Sequence, residues 1–288
     1  MQYSPVNVWP GPMEGVSQEA FVRTVNQLHL TDRWMTPFLR ISQTPFKSAK
    51  VKAFLAPYTA GNVPVTAQLM GPCPEPLAET ARQFIALGAA GINLNCGCPS
   101  SRVVSGNAGG GALRDIDQLC RVVENIRKSI GNDIPFSVKM RTGYSSPGEM
   151  RQLLPRLADA GADCFFIHYR TVQEQYRPVP GRTERLKEAV EIAAAIPVII
   201  NGNIADVNDG KSLLAQTGAA GIMIARGFLR DPWLLKRFND CSVPSPDEGR
   251  KIFFETLKES GAKGGNLIEL AKLIWGTDSD YFRSLIRK

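Results

Sequence analysis

The sequence predicts an α/β chain: a (β/α)8 TIM barrel followed by a short C-terminal helical tail. Three observations lead there. Eight short runs rich in Val, Ile and Phe recur along the chain, each the length of a strand buried on both faces. Segments of helical periodicity fill intervals between them. Three of the runs are entered through one repeated phrase, Leu87-Gly88-Ala89-Ala90-Gly91-Ile92, Ala160-Gly161-Ala162-Asp163-Cys164 and Thr217-Gly218-Ala219-Ala220-Gly221-Ile222, in which a glycine stops a helix and small residues turn into a strand. Eight βα units in one chain favour a closed barrel over an open doubly wound sheet.

The strand runs are 6–13, 34–40, 65–71, 91–97, 136–143, 164–171, 197–204 and 221–228. Between the second and third, residues 41–64 are rich in Pro and Gly and carry Lys47, Lys50 and Lys52, which predicts a long irregular excursion rather than a crossover helix. After the fourth, Asp115 caps a helix whose apolar positions Leu119, Val122, Val123, Ile126 and Ile130 keep helical spacing until Gly131 stops it. After the fifth, Ser146-Pro147-Gly148-Glu149 is a capping box leading into Met150, Leu153, Leu154 and Leu157, with Pro155 predicted to kink the helix. Asp206 and Asp231-Pro232 mark further helix starts. Beyond Cys241-Ser242-Val243-Pro244-Ser245-Pro246, the residues Ile252, Phe253, Leu257, Leu267, Leu270, Leu273 and Ile274 fall at helical spacing. The chain therefore divides into a barrel, 1–241, and a helical tail, 242–288, that is too small to fold alone and should pack on the barrel.

At 288 residues, with 43% hydrophobic and 21% charged side chains, the chain is of ordinary globular composition, which excludes a disordered or fibrous protein. The net charge of +7 sits almost wholly before Pro244, because the tail balances eight cations against seven acids. Such an excess favours a polyanionic partner. The longest uncharged run, 53–74, is broken by Pro57, Gly61, Asn62, Pro64, Gln68 and Gly71, so no membrane-spanning helix is expected. No Lys or Arg precedes Glu14, so the start lacks the positive region of a signal peptide, and a cytoplasmic location is expected. Six cysteines in such a chain read as thiols rather than bridges. With only His29 and His168 available, Cys96-Gly97-Cys98 lacks the further ligands of a metal site, so no metal is expected.

In a barrel, chemistry gathers at the C-terminal strand ends, and side chains two apart on a strand share a face. Four predicted strands carry such polar pairs near that end: Asn93/Asn95, Lys139/Arg141, His168/Arg170 and Asn201/Asn203. Leu94, Met140, Tyr169 and Gly202 alternate with them on the outward face. One buried Asn or Lys is more often structural than functional, but four pairs at one end imply a polar, anionic ligand. The strongest local motif is Asn93-Leu94-Asn95-Cys96-Gly97-Cys98-Pro99, followed by Gly106-Asn107-Ala108-Gly109-Gly110-Gly111-Ala112. Alternation sends Cys96 toward the helices. Cys98 falls past the strand end, on a loop above the barrel, where a thiol can donate or accept a proton. A loop cysteine alone is more often not catalytic.

At this motif the sequence resembles the dihydrouridine synthases, flavin enzymes that reduce uridines in tRNA, and the run 94–112 is most similar to their C-type branch. The resemblance extends through Pro12-Met13-Glu14-Gly15, Gln68-Leu69-Met70-Gly71, Ser137-Val138-Lys139-Met140-Arg141, His168-Tyr169-Arg170-Thr171, Asn201-Gly202-Asn203-Ile204 and Ala225-Arg226-Gly227, in order. It implies FMN as cofactor and NADPH as reductant. Pro12, Met13 and Glu14 would border the flavin, and Gln68, Lys139 and His168 would contact it. Asn201, Gly202, Asn203, Ala225 and Arg226 would hold its phosphate. Asn95 would hold the target uracil, Cys98 would protonate C5 after hydride delivery to C6, and Arg40, Arg141 and Arg170 would face the RNA. The C-type likeness leans toward uridine 16 of the D-loop. A monomer with tRNA as a transient partner is expected.

The sequence departs from the family's usual pattern at Gly11 (for Ala), Pro37 (for an acid), Asn93 (for Asp), Tyr169 (for Gly), Asn203 (for an acid) and Ala225 (for Gly), and its tail is shorter than the family's RNA-binding domain. Two rival readings follow. One is an FMN barrel oxidoreductase acting on a free pyrimidine or an enone. The other is a non-catalytic RNA-binding relative whose flavin site is closed by Tyr169 and Ala225.

Overall fold

A computed structural model describes residues 6–239 and 242–286. The eight runs form β1 (Val8–Pro10), β2 (Trp34–Arg40), β3 (Val65–Met70), β4 (Gly91–Cys96), β5 (Phe136–Arg141), β6 (Cys164–His168), β7 (Val198–Asn201) and β8 (Gly221–Ile224). They make one parallel sheet in the order β1-β8-β7-β6-β5-β4-β3-β2. β1 and β2 approach each other at the remaining seam, and the sheet curls into a (β/α)8 barrel. Outside it run α1 (Glu19–Gln27), α2 (Ser48–Thr59), α3 (Pro74–Ala86), α4 (Ser101–Val104), α5 (Ile116–Ile130), α6 (Met150–Asp159), α7 (Arg182–Ala193) and α8 (Val207–Thr217). Then follow α9 (Arg226–Arg230), α10 (Leu234–Arg237), α11 (Pro246–Glu259), α12 (Gly264–Trp275) and α13 (Asp280–Ile286).

The local signals act as the sequence implies. Gly88, Gly161 and Gly218 stand at φ +95°, +111° and +69°, a region that favours glycine, and each ends a helix just before a strand. The carboxylates of Asp115 and Asp206 accept from the amides of Gln118 and Asp209, and Ser146 with Glu149 forms the capping box. α6 continues through Pro155, which lies on its exposed side while Met150, Leu153, Leu154 and Leu157 are buried.

The segment 41–64 corrects the sequence reading. It contains the twelve-residue helix α2, whose Val51, Leu55 and Tyr58 form a narrow buried face. Tyr58 stands edge-on to Trp34 at 5.4 Å. Burial of three side chains one turn apart outweighs the composition of Lys, Ala and Pro around them and the hydrogen bond to the preceding turn that Pro57 cannot donate.

Strand ends also fall short of the predicted runs. Gly202 at φ +127° and Asn203 at +52° leave the extended region, so β7 stops at Asn201. Likewise 226–228 belongs to α9, not to the last strand.

Two apolar layers flank the strands, one between sheet and helices and one inside the barrel. Leu94, Cys96, Val138, Met140, Ile167, Ile200 and Ile222 belong to the large core shared with the helices. A separate cluster of Met35, Phe166, Ile199 and Met223, with Trp9 and Cys164 against it, plugs the barrel floor. Trp9 meets Phe166 edge-on at 5.1 Å. The barrel is therefore solid below and open only toward the strand ends.

The tail packs on the barrel. Phe253 of α11 meets Phe21 of α1 at 5.6 Å, Thr24 Oγ1 donates to Ser260 Oγ at 3.1 Å, and Phe254, Trp275 and Tyr281 form an aromatic cluster of their own. The expected boundary at Cys241 lies outside the described residues. Among these, no helix is long and apolar enough to cross a membrane.

Candidate active site

The open end of the barrel holds a cavity of about 1040 Å³, above the usual range of about 300–1,000 Å³ for a small-molecule site. It is lined by Pro12, Met13, Glu14, Gln68, Asn95, Cys98, Lys139, Arg141, His168, Arg170, Asn201, Gly202, Asn203, Ala225 and Arg226. Of the residues singled out from sequence, Arg40 and Asn93 stand outside it, Asn93 because it is fully buried in the wall beneath Asn95; Arg40 lies at the other extreme. That side chain is exposed beyond the rim, and its Nη2 donates to Arg102 O at 3.3 Å.

A chain of side-chain amides crosses the wall. Asn93 Nδ2 donates to Ser137 Oγ at 2.8 Å, Gln68 Nε2 donates to Asn93 Oδ1 at 2.8 Å, and Asn95 Nδ2 donates to Gln68 Oε1 at 2.9 Å. Asn95 Oδ1 then accepts from the amides of Gly97 and Cys98, both at 3.1 Å. The buried strand residues thus hold the thiol loop in place, and Asn95 keeps one N–H for a ligand. Gln68 is itself set by a bulge in β2, where Thr36 Oγ1 accepts from the Gln68 amide at 3.0 Å beside Pro37.

Behind Cys98 lies the glycine-rich stretch, whose role here is packing. A Cβ on Gly109 would stand 3.0 Å from Cys98 Cβ, one on Gly110 would stand 2.9 Å from Cys98 O, and one on Gly111 would stand 2.5 Å from Val104 O. Cys98 lines the cavity and is half-buried, whereas Cys96 faces the helices, fully buried, its thiol pushed far up by desolvation. Cys73, Cys96, Cys98, Cys120 and Cys164 are all free thiols.

The wall is cationic. Lys139, Arg141, Arg170, Arg226 and Arg230 line the cavity against one carboxylate, Glu14, whose pKa is raised by burial. Burial first, then Arg141, brings the Lys139 ammonium down to about 8. Among the described residues its one hydrogen bond is long, 3.4 Å to Asn201 Oδ1. A buried ammonium so poorly matched fits an anionic ligand placed against it. His168 is held neutral, well below its ordinary pKa, by desolvation and by Arg141, Lys139, Arg170 and Arg226. Its Nδ1 accepts from the Arg170 amide at 3.4 Å, which assigns the proton to Nε2.

Arg141 and Arg170 do more than face the cavity. Both are buried, and their guanidiniums donate to backbone carbonyls: Arg141 to Gly97, Thr171 and Gln175 at 2.9, 2.9 and 2.6 Å, and Arg170 to Arg177 at 2.6 Å. They clamp the β6–α7 loop onto the barrel and tie it to the Cys98 loop. That loop presents Tyr176, 63% exposed, with its ring 5.3 Å from the Arg141 guanidinium and 5.9 Å from that of Arg226. The sequence reading missed Tyr176, and also Arg230 and Leu273 at the rim. The length of the 169–181 connection was the one available signal.

Outward placement of Tyr169 is corrected. β6 ends at His168, so strand alternation no longer governs the next residue, and Tyr169 lines the cavity. It stacks on His168 at 5.4 Å and accepts from Asn203 Nδ2 at 3.1 Å. The cavity stays open because Gly202 makes room: a Cβ there would lie 2.5 Å from the Tyr169 ring. Gly11 and Ala225 are matched in the same way, since a Cβ on Gly11 would meet Ala225 Cβ at 2.8 Å. The two departures from the family pattern thus compensate each other sterically.

A plugged barrel with a polar, cationic mouth and a thiol held over it suits reduction of a bound substrate by a redox cofactor; the class is a barrel oxidoreductase. Solved structures with this fold include a variant of NCR from Zymomonas mobilis (TM-score 0.59, 15% identity, covering 85% of this chain and 93% of that one) and morphinone reductase N189A in complex with tetrahydroNAD (TM-score 0.58, 12% identity, 85% and 89%). The family model for dihydrouridine synthase (Dus) matches residues 10–264, and the chain belongs to that family of flavin-dependent oxidoreductases. Its relatives include the tRNA-dihydrouridine(16) synthases of Pasteurella multocida (33% identical, 81% of this chain and 77% of the relative) and Haemophilus influenzae (33%, 77% and 73%).

Proposed function

We propose that the protein is a C-type, FMN-dependent synthase that reduces uridine 16 of tRNA with NADPH, acting in the cytoplasm as a monomer. The observation that carries the reading is the Asn95–Cys98 arrangement: an amide that holds the thiol loop with its carbonyl and retains one N–H beside a cavity-lining thiol. The names of the relatives support the position, and a cavity lined by residues of a single chain supports the monomer.

The residues fit the cofactor. Lys139 lacks a counter-charge and would oppose the negative pyrimidine edge of the flavin, while neutral His168 donates from Nε2. Asn203 Oδ1 draws Arg226 (2.7 Å) and Arg170 (3.5 Å) together beyond β7 and β8, where barrels of this kind hold phosphate; Asn201, Gly202 and Ala225 complete that wall. Pro12, Met13, Glu14 and Gln68 line the same cavity and would border the ring system. When bound, FMN would supply a hydride, taken from NADPH, to C6 of the base. Cys98 would give its proton to C5. The Asn95 N–H would orient a uracil carbonyl. Tyr176 offers an exposed face on which a base of the RNA can stack. The target must leave its stack to enter the mouth, at a cost of a few kcal/mol that contacts to the backbone offset.

The test is an assay of FMN-loaded protein with NADPH on tRNA lacking dihydrouridine and on free uracil. Dihydrouridine at position 16 is expected. Turnover of the free base alone would replace the RNA reading, and a protein that takes up no flavin would replace the enzymatic one.

A further inference from the structure

Two stretches of chain that reach the mouth carry cations and no acids. Residues 33–74 and 80–114 contain neither Asp nor Glu. Arg40, Lys47, Lys50, Arg102 and Arg114 lie in these stretches, and all five are exposed. Among the described residues none of the five joins an ion pair, whereas Arg127, Arg182, Arg185 and Arg237 elsewhere pair with Asp163, Asp209, Glu174 and Asp231.

The topology brings these cations to one side of the opening. Arg40 is the last residue of β2, and its guanidinium reaches the carbonyl of Arg102 in α4. α4 begins two residues beyond Pro99, which lines the cavity. Arg114 Nη2 donates to Val104 O at 2.8 Å and to Asn107 Oδ1 at 2.7 Å, so it flanks α4. Lys47 and Lys50 stand at the start of α2, the end of that helix nearest the strand termini in a βα unit, and the Lys50 ammonium lies 4.0 Å from the Phe46 ring.

Resting on the tRNA reading above, we propose that this ridge docks the sugar–phosphate backbone of the RNA, which crosses the mouth on the β2–β4 side, next to Cys98. Exposed cations without counter-charges repel one another and attract condensed counterions, and a phosphate backbone replaces those counterions with a gain that depends on salt. The opposite rim is different in kind: there Arg170 and Arg226 bond Asn203, and Arg185 is paired with Glu174. The barrel itself thus supplies a docking surface separate from the nearly neutral tail.

The experiment compares two triple variants of the full FMN-loaded chain: Lys47→Ala/Lys50→Ala/Arg102→Ala on the ridge and Lys251→Ala/Lys263→Ala/Lys272→Ala on the tail. Fluorescence anisotropy follows binding of an unmodified tRNA transcript over a KCl series. The ridge variant should bind roughly ten- to a hundredfold more weakly at about 0.1 M salt, with the salt slope shallower by about two to three, while flavin absorbance and NADPH oxidation by an external acceptor are retained. The tail variant should change little. Unchanged affinity and slope in the ridge variant, or equal losses in both, would overturn the ridge and leave the tRNA reading standing. Unmutated protein that neither binds nor reduces tRNA, yet turns over a free pyrimidine, would overturn both.

Discussion

The strand-borne wall of the mouth and the loop-borne rim above it are fixed by opposite means. In the wall, side chains hold side chains: Ser137, Asn93, Gln68 and Asn95 form one continuous chain of hydrogen bonds. In the rim, side chains hold backbone: Arg141 and Arg170 donate to carbonyls of Gly97, Thr171, Gln175 and Arg177. The wall is therefore a rigid floor for a cofactor, and the rim is a set of loops whose free groups, Tyr176 and the Cys98 thiol, can meet a substrate. Asn95 joins the two, since it belongs to the wall and grips the thiol loop.

The sharpest separation of the two regions is Cys98→Ala. General acid catalysis contributes about 10²–10⁴-fold in rate, so uridine reduction should fall by that order. Flavin content and oxidation of NADPH by an external acceptor depend on the wall and should persist. Equal loss of both activities would show that the thiol serves the structure and not the proton transfer.

The sequence made the wall legible and left the rim obscure for a physical reason. Strand alternation is a strict period of two, so Asn95, Lys139 and Arg141 could be placed in the mouth from their spacing, while Asn93, on the same face one step deeper, is buried beneath it. It ceases where the strand ends: Tyr169, one residue beyond β6, broke the pattern, and Tyr176 had no pattern at all. The helix α2 was hidden differently. Its buried face is only Val51, Leu55 and Tyr58, among residues whose composition suggests a loop. Arg141 was expected to face RNA, but no local signal announces that a guanidinium will be spent on carbonyls thirty residues away. The residue roles rest on the resemblance and not on periodicity.

Two further variants should separate rim from wall by stability against affinity. Asn93→Ala removes the 2.8 Å partners of Gln68 Nε2 and Ser137 Oγ in a buried chain and leaves them only the 3.4 Å contacts to Met35 Sδ and Ile92 O, so it should destabilise the protein by about 1–3 kcal/mol, read as a fall in Tm. Tyr176→Ala, in an exposed position, should leave stability within about 0.5 kcal/mol yet weaken tRNA binding roughly tenfold or more through lost base stacking. A Tyr176 variant that melts early while binding RNA normally would erase the distinction.

The smallest expected effect tests the wall alone, through Lys139. Its pKa lies at about 8 in the folded chain, against an ordinary 10.5, so between those values the unfolded chain binds more protons and this group makes stability rise with pH. Below about pH 8 the ammonium is charged in both states and its desolvation penalty is complete; above 10.5 the penalty is gone. The pyrimidine edge of the flavin, a row of acceptors when oxidised and anionic when reduced, relieves that penalty by accepting from the ammonium. Added FMN should therefore raise Tm more at pH 6.5 than at pH 9, and Lys139→Met should flatten the difference. An increment equal at both pH values in the unmutated protein would mean that the flavin does not lie against this lysine.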